Sequence, residues 1–152
     1  NDTPPMKTVL THGFTVDEKG RKMSKSIGNV IAPGQMIEEL GTDGLRLWVS
    51  SIDASGEAIV SKNLITNVKE VYRKIRNSCR FLISNIYDFD IAKDAVAIDQ
   101  LLVIDLYALQ ELFQLQDKVL KLYVSMDFTG IFHLLGNYAS AELSAFYLDI
   151  IK

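Results

Sequence analysis

The chain has 152 residues, 48% of them hydrophobic and 23% charged, with a formal net charge of −3. That length can bury a core as one domain or two small ones, and the composition is that of an ordinary soluble globular protein. No run of 18 apolar residues could form a membrane span, and the lone Cys79 excludes an intrachain disulfide and a cysteine-based metal site.

The opening NDTPP reads as loop, and NDTPPMKT lacks the apolar core of a signal peptide. Val9 to Val16 is then expected as a strand, from Val9, Leu10, Phe14, Thr15 and Val16. Asp17 to Gly20 forms a turn, which makes the element hairpin-like. It is followed by GRKMSKSIGN, Gly20 to Asn29, where Arg21, Lys22 and Lys25 alternate with the hydroxyls of Ser24 and Ser26. Gly20 and Gly28 give this loop hinge freedom. Lysines that reach a mobile polyanion, with hydroxyl and backbone donors beside them, suit a triphosphate; a solvated basic turn would carry the same charges.

From Asn29 to Ser61 the pattern is mixed. Pro33 opens a short helix that Gly41 closes, a second helix runs from about Asp43 to Ser51, and Glu57 to Val60 alternates as a short strand. Gly44 weakens the start of that second helix.

The remainder is helical. Ser61 caps a helix from Lys62 to about Ile86, with an apolar stripe of Leu64, Val68, Val71, Ile75, Cys79, Leu82 and Ile86. Cys79 is expected to be buried and inert on that stripe. A second helix covers roughly Val103 to Met126. Asp127 caps a third through Ile151, whose internal Gly136 must be favoured by packing. His12 and His133 read as structural histidines. Three long helices with short links predict an antiparallel bundle. The expected fold is therefore mainly α: a strand and hairpin, a small α/β segment, then the bundle.

Charge is uneven. Lys62 to Arg80 holds six cations against Glu70, and Asp94 to Lys152 holds eight acids against three lysines. Lys69, Arg73, Arg76 and Arg80 fall within about 60° of one another on a helix, away from the apolar stripe. Such a row suits a phosphate backbone, or else pairs with acids in the bundle, Glu70 being near.

Lys22-Met23-Ser24-Lys25-Ser26 matches the KMSKS signature of class I aminoacyl-tRNA synthetases, with Ile27-Gly28-Asn29 following as that family has it. LTHGFTVDEKGRKMSKSIGN, LRLWVSSIDASGE, YRKIRNSCRFLISNIYDFD and FYLDIIK together resemble the bacterial-type isoleucyl-tRNA synthetases. Valyl-, leucyl- and methionyl-enzymes share the signature and the bundle but less of the other segments. The resemblance implies a piece of a ligase that activates isoleucine with ATP and Mg2+ and transfers it to tRNA(Ile). It implies a division into the end of a catalytic domain (residues 1–28), a stem-contact segment (29–61) and an anticodon-binding helical bundle (62–152). Lys25 and Lys22 become the catalytic candidates. Met23, Ser24 and Ser26 join them at the ATP site, Ser24 and Ser26 as donors and Met23 by anchoring the loop through packing. Lys69, Arg73, Arg76 and Arg80 become candidates for tRNA contact, and Asn77 matches the family's Arg-Asn pair. Leu106 stands where bacterial members commonly have Arg.

No metal site is expected here, zinc belonging to a C-terminal region this segment lacks, and neither the isoleucine pocket nor a HIGH-type motif is present. The uncapped end YLDIIK and the opening loop read as cuts through a larger, cytoplasmic and monomeric enzyme, inactive as this piece alone. The competing expectation is a free-standing helical RNA-binding or interaction module without chemistry.

Overall fold

The computed structural model describes residues 5–53 and 55–152; of the NDTPP loop, residues 1–4 lie outside them. Strand β1 is Thr15–Val16 and β2 is Ala58–Ile59. They pair in parallel, Thr15 opposite Ala58 and Val16 opposite Ile59. A parallel pair needs a crossover, and helix α1 (Pro33–Ser50) supplies it. The strand expected from Val9 shrinks to two residues, because β2 offers only two partners; Val9, Leu10 and Phe14 are exposed. The hairpin holds: Val16 bridges Lys22 in antiparallel fashion, the Asp17 N–H donates to the Arg21 carbonyl at 2.9 Å, and Gly20 turns the chain with φ 71°.

The two short helices expected after Pro33 are both present, joined through a kink within α1. Gly41, at φ 74°, breaks α1 as a closing glycine would. Gly44 is buried directly beyond the bend, where a Cβ would lie 2.8 Å from Leu40 Cβ. The glycine that looks like a weak helix start is what lets the bent halves pack.

Helix α2 (Lys62–Asn85) is capped by Ser61, whose hydroxyl accepts from the Leu64 N–H at 3.1 Å. α3 (Ile91–Asp94) and a 3-10 turn at Ile98–Gln100 lead to α4 (Val103–Val124). Asp127 caps α5 (Phe128–Asn137), accepting from the Gly130 N–H at 2.8 Å. Asp127→Ala should cost about 0.5–2 kcal/mol of stability, read from the shift of the denaturation midpoint at unchanged slope.

The third long helix is not uniform. After Asn137 it widens into a π-helical stretch, Tyr138–Tyr147, before α6 (Leu148–Ile150). The Ser140 hydroxyl donates back to the Gly136 carbonyl. It thereby competes for the carbonyl that the Ser140 amide would take in an α-ladder. Gly136 itself is buried, and a Cβ there would meet Val71 Cγ1 at 3.2 Å, so close packing against α2 explains the internal glycine.

The core joins the two halves. Met36, Leu40 and Trp48 of α1 pack with Val60, Ile65 and Val68 and with Phe132 of α5. Each large apolar side chain so buried contributes about 1.5–3 kcal/mol. Cys79 departs from expectation and is exposed. The stripe of α2 points the right way, since Val68 is buried and Val71 and Ile75 half-buried. Beyond Ser78, however, the stripe is less covered: Cys79, Leu82 and Ile86 are exposed, Ile86 the more so at 57%. No helix among the described residues is long and apolar enough to cross a membrane.

Candidate functional site

The GRKMSKSIGN loop leaves the hairpin at Lys22 and is tied at its base. The Met23 N–H donates to the Thr15 carbonyl at 3.3 Å, and the half-buried Met23 side chain packs against the core. Anchoring by Met23 is what the sequence predicts. Ser24 begins a tight turn, its carbonyl accepting from the Ile27 N–H at 3.2 Å and the Gly28 N–H at 3.1 Å. The Ser24 and Ser26 hydroxyls lie 2.6 Å apart. Gly28, at φ 74°, sends the chain away.

The three cations of the loop separate by role. Arg21 is committed to Asp17, its Nε donating at 2.9 Å and its NH2 nitrogen lying 2.8 Å from Oδ2. Lys22 places its ammonium 4.0 Å from the centroid of the Phe14 ring, a cation–π contact that holds the stem near the loop base. Lys25 is exposed and makes no ion pair among the described residues. Among the described residues the loop thus carries two ammoniums without a carboxylate partner, Lys22 over the Phe14 ring at the base and Lys25 at the turn.

Two residues of this site have no counterpart among the sequence candidates. Asn29 accepts the Ser24 N–H at 2.9 Å and donates to Asp17 Oδ2 at 3.0 Å and to the Lys22 carbonyl at 3.4 Å. Asp17 also accepts the N–H groups of Lys19 and Arg21 at 3.0 and 2.9 Å. The Asn29 amide, then the Arg21 backbone N–H, hold the Asp17 carboxyl far below the usual carboxylate range. The turn-forming Asp17 and the Asn after Gly28 are visible in the sequence; their contact across twelve residues is not.

The basic row is where the helix geometry places it. Lys69, Arg73, Arg76 and Arg80 are all exposed on α2. Arg73 meets Glu70 at 2.6 Å, an exposed pair of the kind that contributes little. Lys69, Arg76 and Arg80 make no ion pair among the described residues. Beside the row, Arg73, Lys74, Asn77 and Lys152 border a groove of about 410 Å³ against the C-terminal helix. At its floor the buried Ser78 hydroxyl lies 2.8 Å from that of Ser144.

A larger cleft, about 1240 Å³, opens between Leu10–Gly13, the link from α1 to β2, and the α4–α5 turn. His12 lies on it with Nδ1 2.8 Å from the Gly13 carbonyl, and His133 lies edge-on to Phe132. Neither contacts the loop cations. At the start of α4, Tyr147 donates to Asp105 at 2.8 Å, so the polar contact there is made by tyrosine beside an exposed Leu106. Burial, and then Asp105, push the Tyr147 phenol above its ordinary pKa. No group of three or more potential metal ligands occurs among the described residues.

Comparison with known proteins places these features together. Residues 1–61 match the model of tRNA synthetases class I (I, L, M and V). The chain is 55% identical over 149 residues to an isoleucine–tRNA ligase of Desulforamulus reducens, covering 98% of this chain and 16% of that protein. It is 52% identical over 149 residues to the isoleucine–tRNA ligase of Dichelobacter nodosus, again 98% and 16%. The chain thus spans about a sixth of the length of the curated relatives it matches. Its fold resembles that of a LeuRS of Agrobacterium radiobacter K84 solved in a ternary complex with tRNA and LeuAMS. The TM-score is 0.66 at 21% identity, over 90% of this chain and 18% of that one. With the KMSKS loop on its hairpin, the helical body behind it and this identity over nearly every residue, the chain belongs to the family of class I tRNA synthetases (I, L, M and V).

Proposed function

We propose that this segment serves an ATP-dependent isoleucine–tRNA ligase, supplying the loop that holds the triphosphate and helices that meet tRNA(Ile). The unpaired Lys25 on a tied, glycine-bounded loop carries this reading. In the reaction a carboxylate oxygen of isoleucine attacks the α-phosphorus of ATP. The bond to the bridging oxygen breaks, and pyrophosphate leaves with the developing charge. The loop performs no covalent step. Lys25 meets the charge, while Ser24, Ser26 and the turn amides add donors and Lys22 supports from the stem; catalysis here is positioning and electrostatic stabilisation. Mg2+ accompanies the ATP, and zinc belongs to a part of the ligase outside this segment. Residues 1–28 act as the end of the catalytic domain, 29–61 as the stem-contact segment and 62–152 as anticodon-binding bundle, in a monomeric cytoplasmic enzyme.

Lys69, Arg73, Arg76 and Arg80 meet tRNA phosphates in this reading, supported by their shared exposed face. Arg76→Ala or Arg80→Ala should weaken tRNA binding at low salt and reduce the slope of log affinity against log salt by about one unit. Arg73→Ala should do less, because Glu70 already engages that side chain. The melting temperature should hold in all three, since alanine is the best helix former. An unchanged salt slope with a lowered melting temperature would make the row structural.

A further inference from the structure

We propose that Asn29, backed by Asp17, is a positioning residue that aims Lys25: an amide–carboxylate clip across the base of the loop. This deepens the triphosphate reading and rests on it. Lys25 has no side-chain partner among the described residues, so only the backbone of its own turn directs it. That turn starts at Ser24, and the Ser24 N–H is held by Asn29 Oδ1 at 2.9 Å. The other end of the same amide donates to Asp17 Oδ2 at 3.0 Å, on the far side of the hairpin. Asp17 is in turn fixed by the Lys19 and Arg21 N–H groups and by the Arg21 side chain. One amide therefore joins the stem to the residue preceding Lys25. Gly20 and Gly28, both with positive φ, lie between the clipped residues Asp17 and Asn29, so the clip fixes what the glycines would leave free.

An amide suits this place because it accepts at one end and donates at the other. A carboxylate at position 29 would still take the Ser24 N–H but would face Asp17 as a like charge. Exchanging the two groups restores a donor opposite an acceptor between positions 17 and 29, although it removes the acceptor that Asp17 Oδ2 offers to the Arg21 side chain.

The test uses a full-length ligase carrying this segment, with Asn29→Ala, Asn29→Asp, the exchange variant Asp17→Asn/Asn29→Asp, and Lys25→Ala as reference. Single-turnover formation of isoleucyl-adenylate, the KM for isoleucine and the melting temperature are measured for each. Asn29→Ala should slow adenylate formation by about 10²-fold, the scale of a small misplacement of a catalytic group. Its isoleucine KM and melting temperature should stay at the parent values. Asn29→Asp should be at least as slow, and the exchange variant should recover at least about tenfold over it, as coupled partners do. A normal rate in Asn29→Ala beside a slow Lys25→Ala overturns the clip alone. So does a loss that merely follows a lowered melting temperature. A normal rate in Lys25→Ala overturns the triphosphate reading instead.

Discussion

Lys25→Ala, in a full-length ligase carrying this segment, should slow isoleucyl-adenylate formation by about 10²–10³, the effect of removing one preorganised charge-stabilising donor. The KM for isoleucine should change little, because the proposed role has the loop meet phosphates and not the amino acid. The expectation is specific to Lys25 on structural grounds. Arg21 already spends its charge on Asp17, and Lys22 lies over the Phe14 ring. Lys22→Ala should therefore cost less, and Arg21→Ala should act through the hairpin, lowering stability along with rate. Stopped-flow adenylation and isoleucine titration on the three variants check this order. A Lys25→Ala enzyme that activates normally, or fails only through weak isoleucine binding, contradicts the role.

Gly13→Ala should be among the most damaging single substitutions in the chain. A Cβ there would lie 2.2 Å from the Gly56 carbonyl oxygen, 2.8 Å from its carbon and 3.1 Å from the Glu57 nitrogen. All three are backbone atoms, so no side chain can swing aside. Relief requires separating the two segments where the Phe14 carbonyl accepts the Ala58 N–H at 2.9 Å, next to the Thr15–Ala58 register. The cost should reach or exceed about 1–3 kcal/mol, the usual scale of overpacking. The hairpin that carries the loop depends on the same pairing, so adenylation should fall with stability. Gly56→Ala is the control, since a Cβ there meets nothing within 4 Å and should be tolerated. Denaturant midpoints of both variants decide; equal midpoints would contradict the close approach.

The helices and the hairpin were legible because their signals are local. Ser61 and Asp127 sit immediately before apolar-periodic runs and cap as read. Asp17 to Gly20 turns where a turn-forming tetrad stands. The KMSKS word with its Ile-Gly-Asn tail pointed to the family that the comparisons bear out. What stayed hidden depends on distant partners. Val9 to Phe14 has strand composition, yet pairing is set by the length of β2. Cys79 lies on the right stripe, yet burial is set by how closely other elements pack at that point of α2, and Cys79 is exposed. The π-helical widening begins at a serine hydroxyl meeting a glycine carbonyl, invisible to a count of apolar spacing. At the site, the loop residues were named from their sequence, whereas the difference between Arg21, Lys22 and Lys25 comes only from Asp17 and Phe14 beside them. Asn29 was read only as part of the motif's tail, because its three contacts link positions five, seven and twelve residues away.

The most direct measurement transplants the segment. Residues 1–152 replace the matching stretch in the isoleucine–tRNA ligase of Desulforamulus reducens, 55% identical over 149 residues, and isoleucine-dependent ATP–pyrophosphate exchange is followed in the purified chimera. The chimera should fold, exchange at close to the parent rate, and lose that exchange when Lys25 becomes alanine. A folded chimera without exchange, or one indifferent to Lys25→Ala, would contradict the claim that this segment provides a ligase with its phosphate-holding loop.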